Sequence, residues 1–172
     1  MTTRQKLKTW LHVGLLFTWT AVLATLFANV EVQIEGPNGW ATNLPTWRIE
    51  HHWMLDLFFG GRAMTGYHAW ALPTILAFFH LPMVFTCVWS WRLEARAAAC
   101  YIFFWIWEDA LWFVCNPAFG WAKLTPEFAT WHKHWLLGLP LDYWIFSVVA
   151  VALFGWSFRL FGTSPAVSSS AS

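Results

Sequence analysis

The sequence predicts an all-α protein: a four-transmembrane-helix bundle with an outer interfacial amphipathic helix and a tryptophan-rich outer cap. Three observations carry that prediction. Charged residues make up only 11% of the chain and hydrophobic residues 58%, against roughly 25% charged in ordinary soluble domains. Four apolar runs, 10–30, 67–89, 97–115 and 141–161, approach or exceed the ~20 residues needed to cross a bilayer core. The chain also holds 16 tryptophans, and indole prefers the membrane–water interface.

Taken in order, the N-terminal "MTTRQKLK" is a basic lead whose charges can meet anionic lipid heads. The first span starts too late and runs too long for a cleaved signal, so it is expected to stay in the protein. "FANVEVQIEG" then reads as the start of an ordinary loop, and Pro-Asn-Gly and Asn-Leu-Pro are turn signals. Residues 47–59 place Trp47, Met54, Leu57 and Phe58 at helical spacing after a Thr46 cap, which predicts the interfacial helix, ended by Gly60-Gly61. Span two contains Pro73 and Pro82 and is expected to kink. Loop 116–140 is rich in Trp and Phe, and Thr125-Pro126-Glu127 predicts a helix running to about Leu137. The composition bounds one domain, 1–162, followed by a low-complexity Ser/Ala tail, 163–172.

Charge sets the expected orientation. Arg4, Lys6, Lys8, Arg92, Arg96 and Arg159 share one side, six of the ten Lys and Arg. The positive-inside rule therefore puts both termini in the cytoplasm and loops 31–66 and 116–140 outside, across an inner (cytoplasmic or intracytoplasmic) membrane. Cys87, Cys100 and Cys115 form no CxxC motif and lie at span depth, so no disulfide framework is expected. Net charge is +1, and no basic patch, Gly-rich phosphate loop or Ser-His-Asp set is present, which argues against a nucleic-acid partner.

The polar residues converge on the outer half. Glu108 and Asp109 lie in span three, roughly 10 Å below its outer end at 1.5 Å per residue. A carboxylate at that depth is a functional-site hypothesis by default. Being adjacent, the two point about 100° apart, so one can face the interior and the other the cap. His132 in the cap is the expected partner of at least one. Glu108, Asp109, His132, His134 and His68 form the candidate metal set, since imidazole plus carboxylate suits transition ions. The HxxxH boxes of membrane di-iron enzymes and the HExxH of zinc proteases are both absent. His80, His68 and His12 are the candidate axial ligands for a tetrapyrrole pigment. The residues four before them are Leu76, Met64 and Lys8, not the small residue of light-harvesting sites.

Glu108, Asp109, Leu111, Trp112, Phe113, Asn116, Pro117, Trp131, His132, Lys133, Trp135, Asp142 and Tyr143 together form an ED-x-LWF…NP…WHK-x-W…DY block. It resembles a block in uncharacterised multi-span bacterial and archaeal integral membrane proteins. The resemblance implies a multi-pass membrane protein and brings no activity with it.

Two functional expectations follow. One is a non-catalytic accessory subunit of a larger membrane complex of photosynthetic or respiratory type, contacting other subunits, the lipid bilayer, pigment or quinone. The alternative is a metal-dependent membrane enzyme or metal carrier with an outer His/carboxylate site. The topology is directly testable by thiol labelling of intact cells. Cysteine substituted at Asn38 should be modified and cysteine at Ser169 protected; the reverse pattern overturns the orientation.

Overall fold

The computed structural model describes residues 2–59 and 61–158. Arg159, the end of the expected fourth span and the tail 163–172 lie outside the described residues. Four helices are long and apolar enough to cross a membrane. With one short helix between the first two of these, they are α1 (Thr3–Glu35), α2 (Trp53–Phe58), α3 (Gly66–Thr86), α4 (Trp91–Cys115) and α5 (Leu141–Phe158).

α1 is the main departure from the sequence expectation, being 33 residues long, or about 50 Å at 1.5 Å per residue. It begins in a capping box: Gln5 N–H donates to Thr2 Oγ1 (3.3 Å), and Thr2 N–H donates to Gln5 Oε1 (2.8 Å). It runs through Glu31 and Glu35, which the sequence reading had placed in a loop. The stop signal is Gly36, at φ 68°, whose N–H closes on the Val32 carbonyl before Pro37. Buried Thr20, Ala24 and Ala28 form a small-residue stripe, and the 3.6-residue period continues that stripe onto Glu31 and Glu35.

α4 is the helix against which α1, α3 and α5 all pack. Ser90 caps it by accepting from Leu93 N–H (3.3 Å), so Arg92 and Arg96 sit in its first turns rather than in a 90–96 connection. Buried Ala95, Ala97, Ala99 and Cys100 let neighbours approach closely. Phe103, Phe104, Trp112 and Phe113 then fill the widening space towards the other end. α3 passes through Pro73 and Pro82 as one helix and buries only Gly66 and His68.

The two long connections meet at one end of the molecule, here termed the loop end. The predicted helix 47–59 is instead a strand, β1 (Arg48–Ile49), followed by α2. β1 pairs antiparallel with β2 (Met64–Thr65), and His52, not Thr46, caps α2 by accepting from Met54 N–H (3.3 Å). In the second connection the expected helix from Thr125 is a single turn closed by Ala129 N–H on Thr125 O (2.8 Å). It gives way to a hairpin, β3 (Trp135–Leu136) with β4 (Leu139–Pro140). Both hairpin-turn residues, Leu137 (φ 52°) and Gly138 (φ 79°), have the positive φ of a type I′ turn. Tertiary contacts override the cap signal here: Leu124 and Ala129 are buried against Trp112 and Phe113, with Phe119 and Trp131 packed beside them. Asn116 ties the two ends together, its Nδ2 donating to Gly36 O (2.9 Å).

The hairpin turn yields a pair of opposite predictions. Gly138→Val forces a β-branched residue into the left-handed region and should cost about 1–2 kcal/mol. Leu137→Asn creates the favoured Asn-Gly pair and removes a side chain that is 83% exposed, so it should raise stability. Thermal unfolding in detergent measures both, and equal Tm values for the two variants would contradict this turn assignment.

Candidate functional site

At the loop end, α1, α3, α4 and α5 surround a cavity of about 310 Å³. One part of its wall is apolar, including Leu72, Ile102, Trp105, Ile106 and Phe146. The remainder carries two polar groups, to one of which α4 contributes Glu108 and to the other Asp109.

The first group is acidic and buried. Glu31 and Glu35, one helical turn apart on α1, project towards His68 at the start of α3. One ligand atom from each of the three lies within 4.8 Å of the other two. His68 Nε2 stands 3.7 Å from Glu35 Oε1. Its other nitrogen, Nδ1, bonds the Thr65 hydroxyl (2.7 Å). With that proton on Nδ1, Nε2 presents its lone pair to the carboxylates. Trp40 stacks on the imidazole at 4.1 Å and fixes its plane. Glu35 Oε1 also accepts Ala41 N–H (2.5 Å). Glu108 enters the same space from α4, next to Glu31. It is only 2% exposed, and its Oε1 has no hydrogen-bond partner among the described residues.

The second group is an ionic chain. Asp109 Oδ2 accepts from the Tyr143 hydroxyl and lies 3.1 Å from His132 Nε2. His132 Nδ1 faces Asp142 Oδ1 at 3.5 Å, an ion-pair separation without a hydrogen bond. Asp142 Oδ2 is bound by Arg62 Nη2 at 2.7 Å. Arg62 in turn lies over the Trp40 ring at 4.7 Å and donates from Nε to Phe59 O (2.8 Å). The chain therefore joins α4, both connections and α5. His132 lies outside the four apolar helices. Burial pulls its imidazole down, but the Asp109 charge and hydrogen bond, with Asp142, outweigh burial and hold it above its ordinary value.

The sequence expectations are distributed as follows. The Asp109–His132 contact is present, and the 100° offset sends Glu108 to the acidic group instead. Of the expected metal set, only His68 belongs to the compact three-ligand cluster. Asp109 is engaged by His132 and Tyr143, and His134 is exposed. His80 has partners at both ring nitrogens: Nδ1 bonds Leu76 O (2.7 Å) and Nε2 bonds Glu94 Oε2 (3.0 Å). His12 is exposed at the opposite end, edge-on to Phe158 at 5.4 Å. Glu31 and Glu35 are absent from the sequence-derived candidates because "FANVEVQIEG" reads as the start of a loop; their i, i+4 spacing in phase with Thr20, Ala24 and Ala28 is the signal for a helix.

The four apolar helices define the class: a multi-pass, membrane-embedded protein in contact with lipid. Comparison with known protein families, curated proteins and solved structures finds no match. The functional argument therefore rests on the site.

The ionic chain makes a coupled prediction. Asp109→Asn and His132→Gln should each cost about 1.5–3 kcal/mol, read as faster proteolysis of loop 116–140, and the double variant should lose less than their sum. Glu108→Gln should leave that loop's protection unchanged. Because folding raises the His132 value, the pair's contribution is complete below pH ~6.5 and fades as pH rises through the raised value. Wild-type protection should fall over that window, and His132→Gln should flatten the profile. Strict additivity would rule out the pairing.

Proposed function

We propose that the protein is a metal-dependent membrane enzyme in which Glu31, Glu35 and His68 hold a divalent transition-metal ion, with Glu108 as a fourth ligand. The observation that carries this reading is the convergence of those three ligand atoms within 4.8 Å beside a buried carboxylate oxygen that has no hydrogen-bond partner among the described residues. Ligand bonds of 2.0–2.2 Å in a tetrahedral site put donor atoms roughly 3.4 Å apart, close to the 3.7 Å between His68 and Glu35. Several carboxylates confined together at low dielectric strongly favour a cation or shared protons. Mixed imidazole and carboxylate donors suit zinc, manganese or iron better than magnesium or calcium.

An enzyme fits better than a metal carrier because the cavity continues beyond the ligands. Its volume, about 310 Å³, is at the lower end of small-molecule sites. A bound ion would polarise a substrate oxygen or activate a water there. Asp109 and Tyr143 line the same cavity, and their mutual hydrogen bond holds a proton at its wall. Thr65 is the positioning residue for His68.

A second reading, an accessory subunit of a larger membrane complex, has one observation behind it. α3 buries little of its length and exposes Trp70, Phe78 and Phe85, a surface that suits lipid or another helix. Nothing among the described residues favours a photosynthetic or respiratory complex over any other.

Elemental analysis of mildly purified protein tests the metal reading. About one equivalent of a transition metal per chain is expected, lost in Glu35→Gln and His68→Ala and kept in His134→Ala. Thr65→Val, acting through the imidazole, should weaken affinity by about 10–100-fold. Wild-type protein that neither retains metal nor takes up zinc, manganese or iron would overturn it.

A further inference from the structure

At the end opposite the loops, α1, α4 and α5 border a second, open cavity of about 390 Å³, whose wall includes Lys8, His12, Arg92, Arg96, Ser157 and Phe158. Among the described residues no Asp or Glu lines it. The acid nearest in sequence, Glu94, is turned towards α3, where Trp89 Nε1 (2.6 Å) and His80 Nε2 (3.0 Å) bind it. Among the described residues, Lys8, Arg92 and Arg96 make no salt bridge.

The spacing sharpens the point. Arg92 and Arg96 are one turn apart on α4, and Lys8 and His12 one turn apart on α1. Like charges at i, i+4 disfavour a helix, and here the Arg92/Arg96 pair faces the same cavity as Lys8. Arg96 is also held in place. Its guanidinium lies over the Phe158 ring at 4.0 Å, and Nη2 donates to Ser157 O (3.1 Å). Its Nε is buried with no partner among the described residues. A fixed, incompletely bonded guanidinium among unbalanced cations is complementary to a phosphate.

We infer that this cavity binds the phosphate of an anionic phospholipid. The setting selects a lipid over a free ion. The cavity lies at the ends of three membrane-length apolar helices, where basic pockets between helices take lipid headgroups. Trp10, Trp91 and Trp156 on those helix ends are exposed, as interface-level aromatics are. Leu7, Leu11 and Leu15 are exposed along α1 beside the cations, an apolar track for an acyl chain. The inference is independent of the metal reading.

Full-length protein exchanged into mixed micelles of equal phosphatidylglycerol and phosphatidylcholine tests it, with the retained lipid measured by mass spectrometry. Wild type should retain phosphatidylglycerol in preference. The enrichment should fall about fivefold for each of Arg92→Gln and Arg96→Gln, the factor corresponding to ~1 kcal/mol per basic residue. Arg92 makes no side-chain hydrogen bond among the described residues, so Arg92→Gln and Lys8→Gln keep the test valid if Arg96→Gln fails to fold. Lys123→Gln, at the other end, should retain full enrichment. Excess inorganic phosphate should not displace the lipid; displacement would make free phosphate the ligand and overturn the lipid assignment. Equal retention of both lipids by wild type, or equal loss in Lys123→Gln, would overturn the site itself.

Discussion

Two adjacent carboxylates on the central helix constrain this structure more than any other feature. Glu108 and Asp109 cannot share a partner, because successive helical residues diverge by about 100°. α4 therefore has to be served from two sides. On one side α1 brings Glu31 and Glu35, and α3 brings His68. On the other, the second connection brings His132, and α5 brings Tyr143 and Asp142. Neither carboxylate could be left against lipid, where an unpaired charge costs several kcal/mol.

The two sides differ in what they leave unresolved. Around Asp109 the charges alternate, from Asp109 through His132 and Asp142 to Arg62, so each carboxylate meets a cation or a donor. Around Glu108 they do not. Three carboxylates and one imidazole share a buried space, and one carboxylate oxygen has no hydrogen-bond partner among the described residues. The first arrangement is self-sufficient and closes the loop end over the helices. The second leaves a buried carboxylate oxygen without a partner among the described residues, a condition that a shared proton, a water or an ion can satisfy.

Both ends of the molecule follow this logic. Asn116 and the aromatic residues about Trp112 join α1 to α4 at the loop end, and small residues bring α4 against its neighbours towards the opposite end. There the unbalanced groups are cations rather than carboxylates, and they too line a cavity. Acidic side chains thus predominate at the loop-end cavity and basic ones at the opposite cavity, although the chain as a whole carries only +1.

Composition and run length by themselves determined the membrane class, the four apolar helices and the neighbourhood of Asp109 and His132. Those properties are local or one-dimensional, since lipid demands uninterrupted apolar helices and a connection leaving α4 can fold back over it. Local signals misread the connections. Thr46 and Thr125-Pro126 look like helix starts, yet strand pairing of Arg48–Ile49 with Met64–Thr65, and burial of Ala129, outweighed one favourable cap each. Only the tertiary structure decided that Glu31 and Glu35 stand on a helix and meet His68 and Glu108. Residues on three different helices become neighbours through packing around α4, and no spacing along the chain encodes that distance.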